Sequence, residues 1–169
     1  MRRQHGLVDD AVATVVAGLG AAWVMNQTTT AFRARQSEES RRREEEASRE
    51  VAYAALVRRA AALVGQDVDP DRAERLGVSF HYAMGIALVP GYVLLRRGLG
   101  LAPLGAGVTL GLSVSLLVDE VANPLVGSAA PPRAYPLVTH LRGLAGHVAY
   151  GVAVPVLFEG TLKVARRLA

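Results

Sequence analysis

Four stretches of this chain are apolar enough, and long enough, to cross a lipid bilayer, and charge is almost absent from them. About 20 mostly apolar residues are needed to traverse roughly 30 Å of hydrocarbon as a helix. The stretches run over about residues 7–31, 76–95, 99–118 and 137–160. The second reads LGVSFHYAMGIALVPGYVLL and closes on Arg96 and Arg97; the third stops at Asp119 and Glu120; the fourth follows Pro136 and ends in a tail carrying Lys163, Arg166 and Arg167. Ten of the 19 cations and ten of the 15 carboxylates lie instead between Arg33 and Arg75. Helices of a soluble globule each carry a polar face, and the alternation of membrane barrel strands is missing. The expected fold is therefore all-α: an integral membrane four-helix bundle, one membrane domain over residues 1–169, with a charged extramembrane helical insertion at 33–75 between the first and second spans.

Composition removes several function classes. With no cysteine there is no disulfide framework, no Cys-ligated zinc or iron-sulfur centre and no thiol catalysis. The net charge of +4 does not make a nucleic-acid surface, because the densest basic run, Arg41-Arg42-Arg43, is flanked by Glu38-Glu39 and Glu44-Glu45-Glu46, whereas phosphate tracking needs clustered uncompensated cations. The first stretch has Arg2 and Arg3 ahead of it, as a secretory signal would. Asp9 and Asp10 precede its apolar run and no small-x-small site follows, so it reads as a retained helix. Small residues four apart, Gly18 with Ala22 and Gly107 with Gly111 and Ser115, followed by Gly143 and Gly151, predict close helix packing. Trp23 is expected to pack inside the bundle, and Glu159 to pair with Lys163 four residues on.

No Gly or Pro interrupts the chain between Ala21 and Val64, which predicts that the first helix runs straight out of the membrane. Glu38 with Arg42, Glu39 with Arg43 and Glu45 with Arg49 have the spacing of solvated helix pairs. Tyr53, Leu56, Ala60 and Leu63 form an apolar stripe that suits lipid headgroups, a protein partner or the chain's own bundle. Asp69 before Pro70 predicts a cap for the next helix.

Four spans place both termini and the Arg96-Arg97 loop on one side, A, and the charged insertion on the other, B. Counting 1.5 Å per residue then gathers Asn26, His81, Asp119, Glu120, Asn123, His140 and His147 in the B half. Ionisable groups at membrane depth face the bundle interior or a wet cavity. His140 and His147 share a helix face, but their separation of seven residues is too long for a chelating pair, so His147 is expected to meet His81 or Glu120. Three readings follow: a structural hydrogen-bond network, a proton or small-ligand site, or haem or metal ligation by His81 and His147. No serine has an activating context, so no catalytic residue is assigned and the chain reads as non-enzymatic. Its partners are the lipid bilayer and, in an accessory-subunit reading, another protein or a second copy. Side B carries more Lys and Arg than side A, which leans it toward the cytoplasm.

The stretch DEVANPLVGSAAPPRAYPLVTHLRGLAGHVAYG, from Asp119 to Gly151, together with GLGAAWVMNQ and FHYAMGIALVPGY, resembles the YagU-like family of small bacterial inner-membrane proteins. The likeness is one of order: a Gly- and Ala-rich first helix ending in Met-Asn, a His-bearing second helix, an acidic end to the third, then a proline loop leading to His140, His147 and Tyr150-Gly151. It implies a multi-pass protein of the bacterial cytoplasmic membrane and directs attention to His81, Glu120, His140 and His147. A role in acid tolerance has been suggested for that family, and no activity follows from it.

Overall fold

The computed structural model describes residues 2–48 and 52–168, with side chains of the first helix from Gly6 onward. The chain forms α1 (Arg2–Ala34), α2 (Glu38–Ala47), α3 (Ala52–Leu63) and α4 (Pro70–Val93), which widens into a π-helical turn over Leu94–Gly98. After a short loop come α5 (Pro103–Val114), a π-helical segment over Ser115–Ala122, the short α6 (Asn123–Leu125) and finally α7 (Leu137–Leu168). Four of these rods are long and apolar enough to cross a membrane: Gly6–Ala34, Pro70–Gly98, Pro103–Leu125 and Leu137–Leu168. Large apolar side chains such as Leu7, Leu116, Leu117 and Val156 point outward from them, as a lipid solvent requires and water does not. The protein is a multi-span membrane helical bundle.

The interior is built from small residues. Ala13, Ala17 and Ala21 of α1, one every fourth residue, are fully buried and let α7 lie along α1 over the longest contact in the molecule. Gly18 of α1 meets α4, where a Cβ would stand 2.4 Å from the Cα of Ile86. The α5–α7 crossing is tighter still. A Cβ on Gly107 would come within 2.0 Å of the Gly151 carbonyl oxygen, and one on Gly111 within 2.2 Å of the His147 carbonyl oxygen. Pro155, four residues after Gly151, has no N–H to offer that carbonyl, which is thus turned toward α5. Pro90 likewise removes the helical donor of Ile86; the Tyr150 hydroxyl donates to the neighbouring Gly85 carbonyl at 2.6 Å.

Three expectations need correction. The first helix does not continue out of the membrane: it ends at Ala34 in a turn, and Ser37, in an extended conformation, starts α2 by accepting from the Ser40 N–H at 3.3 Å. Ser37 followed by Glu38 and Glu39 is an N-cap with first-turn carboxylates, a break signal that needs neither Gly nor Pro. Trp23 is 55% exposed on the outer face and does not pack inside. Glu159 accepts from the Tyr92 hydroxyl at 3.0 Å and lies 3.8 Å from Arg96, while Asp10 holds Arg97 by two bonds of 2.6 and 2.8 Å. Both pairs tie the helices at the A end. The cap at Asp69 is as expected, accepting from the Arg72 N–H at 2.9 Å. Among the solvated pairs, Glu39 and Arg43 meet at 2.5 Å and Arg42 turns to Glu46 at 3.7 Å; Arg49 lies outside the described residues.

The glycine contacts give a direct test. Gly107→Leu should destabilise the bundle by at least about 1–3 kcal/mol, the usual cost of overpacking, because the obstacle is backbone and cannot rotate away. Gly105→Leu, where nothing lies within 4 Å of a Cβ, should leave the thermal unfolding of the detergent-solubilised protein unchanged.

Candidate functional site

At the B end the helices splay around a cavity of about 610 Å³. Its walls come from α1, α4, the π-helical segment and the start of α7, and its roof is the charged insertion folded back over the bundle. Asn26, His81, Asp119, Glu120, Asn123 and His140 all line it. His147, 4% exposed at its side chain, lies two helical turns deeper than His140 and is reached through Asp119.

The pairing within this group differs from the expected one. His147 Nε2 stands 3.0 Å from Asp119 Oδ2, and His140 Nδ1 stands 2.6 Å from Glu120 Oε1; the sequence spacing had suggested His147 with His81 or Glu120. Two adjacent carboxylates can serve two imidazoles seven residues apart because the helix that carries them is widened. The Asn123 N–H bonds the Val118 carbonyl five residues back, and such π-helical turns re-aim side chains relative to an α-helix. Gly143 makes room on the other side: a Cβ there would lie 3.3 Å from Asp119 Oδ2. The small residue between the two histidines is thus a seat for the carboxylate.

His140 is held at both nitrogens. Nε2 lies 3.0 Å from the Pro132 carbonyl oxygen, which only accepts, so this nitrogen carries a hydrogen. Nδ1, 2.6 Å from Glu120, can share one further proton with it: with that proton the pair is neutral, as imidazolium with carboxylate or imidazole with carboxylic acid, and without it the pair carries one negative charge. His147 contrasts with it: both of its ring nitrogens are buried without a hydrogen-bond partner, so its approach to Asp119 is a close contact that lacks hydrogen-bond alignment. His81 packs against Tyr53, with ring centroids 5.2 Å apart, and its Nε2 is also buried and unpartnered. Asn123 has a local task, accepting from Ser128 Oγ at its carbonyl and its side chain, at 3.2 and 3.1 Å, and so closing the turn after α6.

The largest feature that spacing did not reveal is an ion-pair cluster around Glu44. Its carboxylate accepts from Arg142 at both oxygens, from Arg33 at 3.2 Å, from Gln36 at 3.0 Å and from Thr139 at 3.1 Å. The side chains of Glu44 and Arg142 are only 12% and 15% exposed. Burial alone would raise the Glu44 carboxyl, but the hydrogen bonds from Arg142 and Gln36 and the charges of Arg142 and Arg33 outweigh it and hold it below the ordinary carboxylate value. Arg142 sits two residues after His140 near the start of a long apolar span, and a cation there demands a counter-ion. That demand was readable; which member of the Glu44-Glu45-Glu46 run would meet it was not.

The charged insertion therefore closes on its own protein. Of the three residues expected to meet a partner, Tyr53 packs its ring at a tilt against Phe80 and His81, Leu56 is half-buried and Leu63 is 89% exposed. The face that packs on α4 is Ala54, Val57 and Ala61, gathered with Val68 and Ala73, one step around the helix from the expected stripe. Burial, reinforced by the charge of Asp119, pushes the Tyr53 phenol up to about 12. No group of three or more His, Asp or Glu among the described residues is arranged to hold a metal ion. No family model, no curated protein and no solved structure matches this chain.

Because the Glu44 carboxyl titrates lower in the folded protein than in the unfolded chain, its contribution is complete above the ordinary carboxylate value and fades as pH falls below it. Glu44→Gln, which leaves Arg142 without its charge partner, should cost about 2–3 kcal/mol at neutral pH. It should also speed tryptic cleavage after Arg42 and Arg43 and flatten the loss of thermal stability that the wild type shows below about pH 4.5.

Proposed function

We propose that this chain is a non-enzymatic membrane protein whose side-B cavity exchanges protons through its two histidine–carboxylate pairs. The observation that carries this reading is His140, with one nitrogen committed to a backbone carbonyl and the other 2.6 Å from Glu120. That geometry supports the pair taking up and releasing one proton beside the cavity. Asp119 and His147 add a second carboxylate and imidazole 3.0 Å apart deeper in the bundle, close but without hydrogen-bond alignment, and histidine is the side chain whose ordinary titration falls between pH 5 and 8. The neighbouring cluster on Glu44 is a fixed ion pair that anchors the roof, and the exchangeable proton is assigned to the histidines. The order of features shared with the YagU-like family supports placing the chain in a bacterial cytoplasmic membrane and linking it to acid conditions, and both belong to this proposal.

Infrared difference spectra of the protein in lipid bilayers, taken between about pH 8 and pH 5, test the reading. A carboxyl and imidazole change should appear, and Glu120→Gln and His140→Ala should each remove the same component. Spectra in which neither histidine nor carboxylate signals respond to pH would overturn it.

A further inference from the structure

The cavity is far larger than a proton pathway needs. At about 610 Å³ it falls in the range that encloses an organic molecule, about 300–1,000 Å³. Its charge is lopsided in a way the net charge of the chain conceals. Arg33 and Arg142 face it, but Arg33 is held by Glu44 and Glu45 at 3.2 Å each and Arg142 by Glu44, so these four residues cancel. What remains is anionic: Asp119 and Glu120, each about a third exposed, and the exposed Glu74, which also lines the cavity. Among the described residues, the ion-pair contacts of Asp119 and Glu120 are with the imidazoles of His147 and His140, which balance them only when protonated. The rest of the lining mixes apolar and aromatic residues with uncharged polar ones such as Asn26, Thr29 and Thr30, and His81 brings to it a buried ring nitrogen with no hydrogen-bond partner.

We propose that this cavity binds an organic cation, a quaternary ammonium, phosphonium or amidinium group carried on an apolar ring or chain, with its charge against Asp119 and Glu120 and its body against Met25, Val78 and the Tyr53 ring. An anion would find no free guanidinium. A cation finds two carboxylates and an aromatic face, which attracts positive charge through its quadrupole. The Tyr53 phenol stays neutral across the physiological range and adds no competing charge. Because protonating His140 and His147 neutralises the same carboxylates, proton and ligand compete, and by linkage each weakens the other's binding. This competition rests on the proton-exchange reading above; the ligand's charge and shape rest on the cavity alone.

The test uses the full chain in phosphatidylcholine nanodiscs and two ions of the same shape and opposite charge, tetraphenylphosphonium and tetraphenylborate, measured by equilibrium dialysis against empty nanodiscs. At about pH 8 the phosphonium should bind saturably and the borate should not. The double variant Asp119→Asn with Glu120→Gln, and acidification of the wild type to about pH 5.5, should each weaken phosphonium binding by about tenfold, the loss of about 1.4 kcal/mol. Equal binding of the two ions, or phosphonium binding indifferent to the double variant, overturns the assignment; should the variant not fold, the contrast of the two ions on the wild type decides. Phosphonium binding unchanged by acidification overturns the competition and the proton-exchange reading with it. Histidine titration in the free protein without any phosphonium binding overturns the ligand alone.

Discussion

The contact between two glycines of α5 and the carbonyl groups of α7 governs the geometry of everything at the B end. Lipid offers no hydrophobic drive for helices to associate, so close approach of backbones has to supply it. Gly107 and Gly111 allow an approach that a single methyl group would block. The carbonyls they meet belong to Gly151 and to His147 itself, so the same contact sets the height of α5 against the helix that bears both histidines. From there the π-helical segment carries Asp119 and Glu120 to their partners.

Electrostatics divides the B end into two compartments with different jobs. Around Glu44, a carboxylate with several donors makes an ion pair whose members are nearly out of solvent and fully bonded. Such a pair is costly to break and contributes specificity of docking more than net stability. It joins α2 to the ends of α1 and α7. Around Asp119 and Glu120, the carboxylates face imidazoles and open space, and their balance of charge depends on protons. The fixed cluster holds the roof with residues other than the histidines and their carboxylates, so the cavity beneath it is kept apart from the ion pair that anchors it.

The architecture was legible in the sequence because a bilayer leaves few alternatives: spans must be long, apolar and hydrogen-bonded within themselves. Counting depth along those spans also gathered the polar residues of the site at one end. Their pairing was not legible, because depth counting assumes α-helical periodicity and the chain departs from it over Ser115–Ala122, where the carboxylates lie. The break after Ala34 contains neither Gly nor Pro; Ser37 and two glutamates make it. Arg142 was hidden by its company: a cation that close to the end of a span looks interfacial until a carboxylate from another segment is found on it. Each miss concerns a partner distant in sequence or a local change of helix type, and periodicity contains neither.

The widened turn behind Asp119 makes the spacing of this chain unusually sensitive to insertions and deletions. Removing one residue between Val114 and Asp119 would let the segment relax into ordinary α-helix and change the angle at which the residues after the deletion leave the helix axis. Both acids would then leave the face that looks at α7, although every one of their side chains survived. Composition would be almost untouched while the chemistry was lost, so kinship among proteins of this kind is better judged by register across that segment than by the presence of the acids themselves.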